Sequence, residues 1–112
     1  IFDSNNRPKM VVGTPSGTRI LTCVMQTILN YLEFNLPLYE SVAALRYHHQ
    51  WSPDYIRVEK RGFPAETLSS LENFGYDIVK KNLGCRIQAV GREGNNLIGV
   101  SDPRGEGLSD GL

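Results

Sequence analysis

The 112-residue sequence predicts an α+β fold, for three reasons. An apolar, strand-like run from Lys9 to Gly13 breaks at small residues and opens directly into a helix. Apolar residues then recur with helical spacing for nearly four turns, and from Tyr76 onward the pattern becomes β-like around a glycine-rich turn. The expected order is a leading strand, a long helix, two shorter helices and a closing β-hairpin.

The first strand, Lys9 to Gly13, is β-branched and follows the turn-prone Asn5-Asn6-Arg7-Pro8. After Gly17, Ile20, Leu21, Val24, Met25, Ile28, Leu29 and Leu32 form an apolar stripe, with Arg19, Thr22, Gln26, Asn30 and Glu33 between them. Fully buried, each such side chain contributes about 1.5–3 kcal/mol, so this helix is expected to be the largest contributor to the local core. Asn35 and Pro37 stop it, and Pro37 starts a shorter helix through Leu38–Ala44. Arg46 to Ser52 has no clear period. Tyr55 to Glu59 alternates as a half-buried strand does, and Arg57, Lys60 and Arg61 read as a solvated face. Phe63-Pro64 leads into a third helix of about ten residues carrying Leu68, Leu71 and Phe74, with Gly75 as its C-cap. Tyr76–Val79 is a strand candidate. Cys85–Val90 and Leu97–Val100 are the arms of a hairpin turning through Gly91-Arg92-Glu93-Gly94-Asn95-Asn96. The glycine-rich end, Arg104–Leu112, reads as a tail.

Composition narrows the function. Hydrophobic residues make up 40%, enough for one small core and too few for two, and no repeat or linker divides the chain. Residues 1–112 are therefore read as a single partial domain. Lys plus Arg equals Asp plus Glu, so no basic surface points to nucleic acid or an anionic membrane. There is no run of about 18 apolar residues and no charged-then-apolar leader. A start at Ile1-Phe2 suggests an internal excerpt, in which case the missing leader says nothing about location. Cys23 and Cys85 lack zinc spacing and are expected to be free structural thiols, the alternative being a bridge whose close approach the sequence cannot show. His48 and His49 invite a metal reading, but adjacent side chains diverge and no neighbouring ligand completes a set. They are expected to be structural. No metal or cofactor site is expected.

The junction Met10-Val11-Val12-Gly13-Thr14-Pro15-Ser16-Gly17-Thr18-Arg19-Ile20 carries the chemistry. A helix start presents up to about four N–H groups without intrahelical partners and a partial positive charge, a setting suited to an anion or oxyanion. Ser16 is also a good N-cap, so a simply capped helix start is the ordinary reading of the same residues.

Three blocks in order extend this signal: Val11–Ile20, then Ala43-Ala44-Leu45-Arg46-Tyr47-His48-His49-Gln50-Trp51, then Val100-Ser101-Asp102-Pro103-Arg104. Together they resemble the C-terminal part of the small subunit of γ-glutamyltranspeptidases, and the resemblance spans essentially the whole chain. It implies membership of an N-terminal nucleophile hydrolase αββα sandwich. It further implies an enzyme whose precursor cleaves itself to expose a threonine that attacks γ-glutamyl amides such as glutathione. The acyl-threonine then passes its glutamyl group to water or to an amino acid or peptide. Two glycines of the family's proline-glycine-glycine-serine-arginine block supply oxyanion N–H groups; here those positions are Ser16 and Gly17. If the first position needs positive φ, serine is strained there, and loss of one such donor costs about 10²–10³ in rate.

The nucleophile would lie upstream, and none of Thr14, Thr18, Thr22, Thr27 or Thr67 is at the N-terminus, so no catalytic residue is expected in this chain and the isolated piece is expected to be inert. Asp102-Pro103-Arg104 is expected to make a structural, ion-paired turn. Implied partners are a γ-glutamyl compound, the large subunit and the N-terminal half of the small subunit, with self-association of the isolated piece through its uncovered faces. The implied location is periplasmic or secreted. A non-catalytic scaffold or binding domain on the same fold, or a sibling acylase, is the alternative.

Overall fold

A computed structural model describes residues 1–111. In chain order the elements are β1 (Met10–Gly13), a 3-10 turn (Gly17–Arg19), α1 (Ile20–Leu32), α2 (Leu38–Ala43), β2 (Tyr47–His48), β3 (Ile56–Val58), α3 (Ala65–Asn73), β4 (Ile78–Lys80), β5 (Gln88–Glu93) and β6 (Asn96–Ser101). They fall into two compact units, one of Ile1–Ala44 with Cys85–Leu112 and one of Leu45–Gly84. Leu112, the end of the expected tail, lies outside the described residues.

In the first unit β1, β5 and β6 form an antiparallel sheet in the order β1-β5-β6. Gly13 pairs with Gln88 and Met10 with Gly91, while Gln88 pairs with Ser101 and Glu93 with Asn96. Alternation sends Met10, Ala89 and Val100 inward, where they are buried with Leu38 and Val42 of α2. The hairpin is longer than expected. Its strands run on through Gly91-Arg92-Glu93, and only Gly94-Asn95 turn, with Gly94 at φ 60°. Gly91 is a close-approach residue instead: a Cβ there would stand 2.8 Å from the Tyr31 hydroxyl and 3.1 Å from Leu38. Gly91→Val is expected to destabilise the full-length protein by about 1–3 kcal/mol through overpacking. Chemical denaturation reads this, and an unchanged midpoint would mean that Tyr31 and Leu38 yield freely.

The apolar stripe of α1 is not the large contributor to the core that the sequence predicts. Leu21, Met25 and Leu29 are exposed, and the buried positions are Cys23, Gln26, Thr27 and Tyr31. Small or self-satisfied side chains suit the sheet side: Thr27 Oγ1 donates to the Cys23 carbonyl at 3.0 Å, and Gln26 Nε2 to that of Thr22 at 2.9 Å. The helix therefore has a second apolar face, left partly uncovered by the described residues. It ends where expected, with Asn35 in the left-handed region at φ 54°.

The cysteines also differ from expectation. Cys23 and Cys85 are not free thiols but form a disulfide, with their Cα atoms 6.7 Å apart. Sequence spacing hid this because the contact depends on how α1 meets the approach to β5, across 62 residues. Cys85 itself precedes the strand rather than opening it.

The second unit is a small βαβ arrangement. β3 and β4 are parallel, with Ile56 opposite Ile78, and α3 forms the crossover between them. Ile56, Val58 and Leu68 make its core, packed by Phe63, Leu71 and Ile78. Pro64 precedes α3, and Gly75, at φ 93°, closes it with an N–H donated to the Glu72 carbonyl at 2.9 Å. The two-residue β2, antiparallel to β3, falls in the stretch with no sequence period. His48 Nε2 meets Gln50 Oε1 at 2.7 Å and His49 Nε2 meets Asp54 Oδ1 at 2.9 Å, which ties the loop between β2 and β3.

Candidate oxyanion loop and its supports

β1 ends at Gly13 and the chain turns through Thr14-Pro15-Ser16 into the 3-10 turn that begins α1. Small residues and Pro15 allow this sharp passage, and side-chain bonds hold it. Thr14 Oγ1 accepts the Arg86 N–H at 2.7 Å, which fastens the loop to the segment before β5. The Arg19 N–H donates to the Ser16 carbonyl at 3.3 Å, closing the turn, and Arg19 Nε donates to Ser16 Oγ at 3.1 Å.

Ser16 differs from the simple capping role. No side-chain capping bond runs from it to the backbone of the turn. Its backbone has φ 149° and ψ 27°, a region open to glycine and costly for any residue with a Cβ. Gly17 follows at φ 57°, and, its chain neighbours aside, no described residue lies within 4 Å of where its Cβ would be. Consecutive residues in the left-handed half of backbone space, at the start of a helix and open on one side, make a turn whose N–H groups can converge on an anion. Such strain, of about 1–3 kcal/mol, persists only where the surroundings over-determine it.

The Asp102-Pro103-Arg104 block is structural and ion-paired, as expected. The buried Asp102 carboxylate accepts the Ile87 N–H at 2.9 Å through Oδ2, and the Arg104 N–H at 3.0 Å and Nη1 at 3.1 Å through Oδ1. Arg104 then donates to the carbonyls of Val42, Ala43 and Ala44 at 3.3, 3.0 and 2.9 Å, capping the C-terminal end of α2. Nothing in the sequence pattern alone gave this long-range cap.

Beyond these two places the chemistry is sparse. Thr22 and Thr27 donate their hydroxyls to helix carbonyls. Among the described residues no cluster of three or more His, Cys, Asp or Glu side chains could hold a metal ion. No helix among them is long and apolar enough to cross a membrane. An open cleft of about 500 Å³ lies beside Lys9, Tyr31, Arg92 and Glu93, at the far end of β1 from the Ser16 loop. Its groups turn toward one another. The Tyr31 hydroxyl donates to the Arg92 carbonyl at 3.1 Å, and burial, with the Glu93 charge adding, raises the phenol above its usual pKa.

Comparison with known proteins is consistent across sequence and structure. The γ-glutamyltranspeptidase family model matches residues 1–112. The glutathione hydrolase proenzyme of Escherichia coli is 43% identical over 97 residues, and that of Pseudomonas aeruginosa 38% over 112. These alignments take in 85% and 96% of this chain but only 16% and 20% of those proteins. The chain thus spans about a fifth or less of their length. The structure of the γ-glutamyltranspeptidase of Pseudomonas nitroreducens complexed with L-DON superposes on all of this chain and 60% of that one, with a TM-score of 0.91 at 34% identity.

Proposed function

The chain belongs to the γ-glutamyltranspeptidase family and carries part of its N-terminal nucleophile hydrolase αββα sandwich, and from that premise we propose that it is the C-terminal part of the small subunit of a γ-glutamyltransferase and glutathione hydrolase. On this reading residues 1–112 are one partial domain, completed by the large subunit and by the N-terminal half of the small subunit. The exposed Leu21, Met25 and Leu29 of α1 favour such a completion, because an uncovered apolar stripe is an interaction surface.

The observation that carries the proposal is the left-handed backbone of both Ser16 and Gly17 at the start of α1. In the reaction, a threonine hydroxyl upstream attacks the γ-carbonyl carbon and its own amine takes the proton. The carbonyl oxygen becomes an oxyanion, which the backbone N–H groups of Ser16 and Gly17 stabilise. Collapse, with the threonine amine returning that proton to the leaving nitrogen, breaks the C–N bond, expels the product amine and leaves the acyl-threonine, which water or an amino acid or peptide resolves. On this reading the nucleophile belongs to the preceding part of the small subunit, and the isolated chain is expected to be inert. The Cys23–Cys85 disulfide supports a periplasmic or secreted location, since such bonds persist in oxidising compartments.

The test is cleavage of γ-glutamyl-p-nitroanilide by the full-length protein that carries this sequence, compared with its Ser16→Gly variant. Glycine relieves the backbone strain at φ 149° without removing the N–H, so kcat is expected to rise about 3–10-fold, a fraction of what one oxyanion donor contributes. A processed, folded protein inactive in both forms would favour the non-catalytic scaffold, the reading to which a strained serine in place of glycine lends support.

A further inference from the structure

The Cys23–Cys85 disulfide closes a small cycle around the Ser16 loop. One arm runs from Gly13 through the loop and the first turn of α1 to Cys23; the other runs from Cys85 to Gln88, and Gly13 pairs with Gln88 in the sheet. Further ties cross the same cycle, with the Arg86 N–H on Thr14 Oγ1 and Cys85 Sγ 3.8 Å from the Arg19 carbonyl oxygen. The loop is thus bounded by a β-ladder at its start and by a covalent bond just beyond its end.

Packing does little at that end. Of the first six residues of α1, Ile20 to Met25, only Cys23 is buried, and Leu21 is 77% exposed. The next buried side chains, Gln26, Thr27 and Tyr31, lie further along the helix. Cys23 is thus the one fully buried anchor in the first turns of α1, and its bond to Cys85 is the covalent tie at that end. This is where placement matters most, because Ser16 and Gly17 hold glycine-type conformations that relax unless both flanks are fixed. Both cysteines are buried, at 0% and 1% exposure, so reductants do not reach the sulfurs of the folded chain and the bond acts as a permanent tie.

We propose that the Cys23–Cys85 disulfide is a positioning element for the backbone N–H groups of Ser16 and Gly17, setting turnover rather than substrate affinity. This rests on the γ-glutamyl transfer reading above. The bond also stabilises the folded chain by closing a long loop, so the test must separate position from stability.

The full-length protein is compared with Cys23→Ala/Cys85→Ala and with Cys23→Ala/Cys85→Val, which refills volume without restoring the bond. Kinetics are measured well below every melting temperature, alongside backbone hydrogen exchange. The expected results are a linked Cys23–Cys85 peptide under non-reducing conditions, a kcat lower by about 10-fold in both variants, and KM within about twofold, since a misplaced donor weakens the transition state and not the ground state. Exchange at residues 14–19 is expected to rise while α3 stays unchanged. If the variants lower only the melting temperature, with kcat and exchange at 14–19 as in the parent, or if the thiols are found free, the proposal is overturned. Should neither variant fold, the native protein reduced and thiol-capped in mild denaturant, then returned to buffer, gives the same exchange comparison. A folded, processed parent that cleaves no γ-glutamyl substrate would sink the functional reading instead, and exchange would still decide whether the bond holds the loop.

Discussion

Asp102→Ala in the full-length protein is expected to cost about 3–5 kcal/mol of folding stability, the range for breaking a buried, hydrogen-bonded ion pair. The carboxylate is wholly buried and accepts from the Ile87 N–H, the Arg104 N–H and Arg104 Nη1. Alanine removes each of these acceptors at once, and the Ile87 N–H sits where Ile87 itself is 0% exposed, so water does not replace the bond. Arg104 also loses the group that aims it at the last carbonyls of α2. Asp102→Asn should cost less, because its amide oxygen still serves one donor while its NH₂ faces another. Denaturant midpoints of the two variants check this order. Equal and small losses would mean that the carbonyls of Val42, Ala43 and Ala44 orient Arg104 without the carboxylate.

The helices and the main sheet could be read from local signals because local signals specify them. Periodicity and the Asn35 and Pro37 stops delimit α1 and α2, and Pro64 and Gly75 delimit α3, each to within about three residues. What the pattern lacks is any statement of which apolar face meets which element. α1 has apolar residues on more than one side, and the side with Cys23 and Thr27 is the one buried, while Leu21 and Met25 are exposed. The disulfide is not legible in the sequence for the same reason, since two cysteines 62 residues apart meet only through tertiary packing. Gly91 reads as a turn residue because glycine marks turns and close approaches alike, and only Tyr31 and Leu38 pressing on it separate the two. At the candidate site, the family resemblance located Ser16 and Gly17, but the sign of φ at Ser16 depends on how the loop is held between β1 and α1.

That dependence makes Gly17→Val the sharpest probe of the site. With the transpeptidase reading, it is expected to lower kcat by about 10²-fold, with KM little changed, because it disturbs one of two oxyanion donors while leaving other substrate contacts in place. Gly17 sits at φ 57°, where a β-branched residue is a genuine outlier, yet, its chain neighbours aside, no described residue lies within 4 Å of the added Cβ. The substitution therefore acts through the backbone rather than through a clash inside this chain. Valine pulls φ back toward negative values, which rotates the peptide that carries the Gly17 N–H away from its neighbour at Ser16. Gly17→Ala tolerates the left-handed region at a cost of about 1–2 kcal/mol and should retain more of the donor geometry, so its kcat should lie between those of the parent and the valine variant. The same ordering, Gly above Ala above Val, should appear for hydrolysis and for transfer to an added amino acid acceptor, because both proceed through oxyanions at the same carbon. Steady-state assays with γ-glutamyl-p-nitroanilide, with and without acceptor, measure both series. A valine variant that turns over like the parent would remove Ser16–Gly17 from the oxyanion role and leave the loop as a helix start held by Arg86 and Arg19.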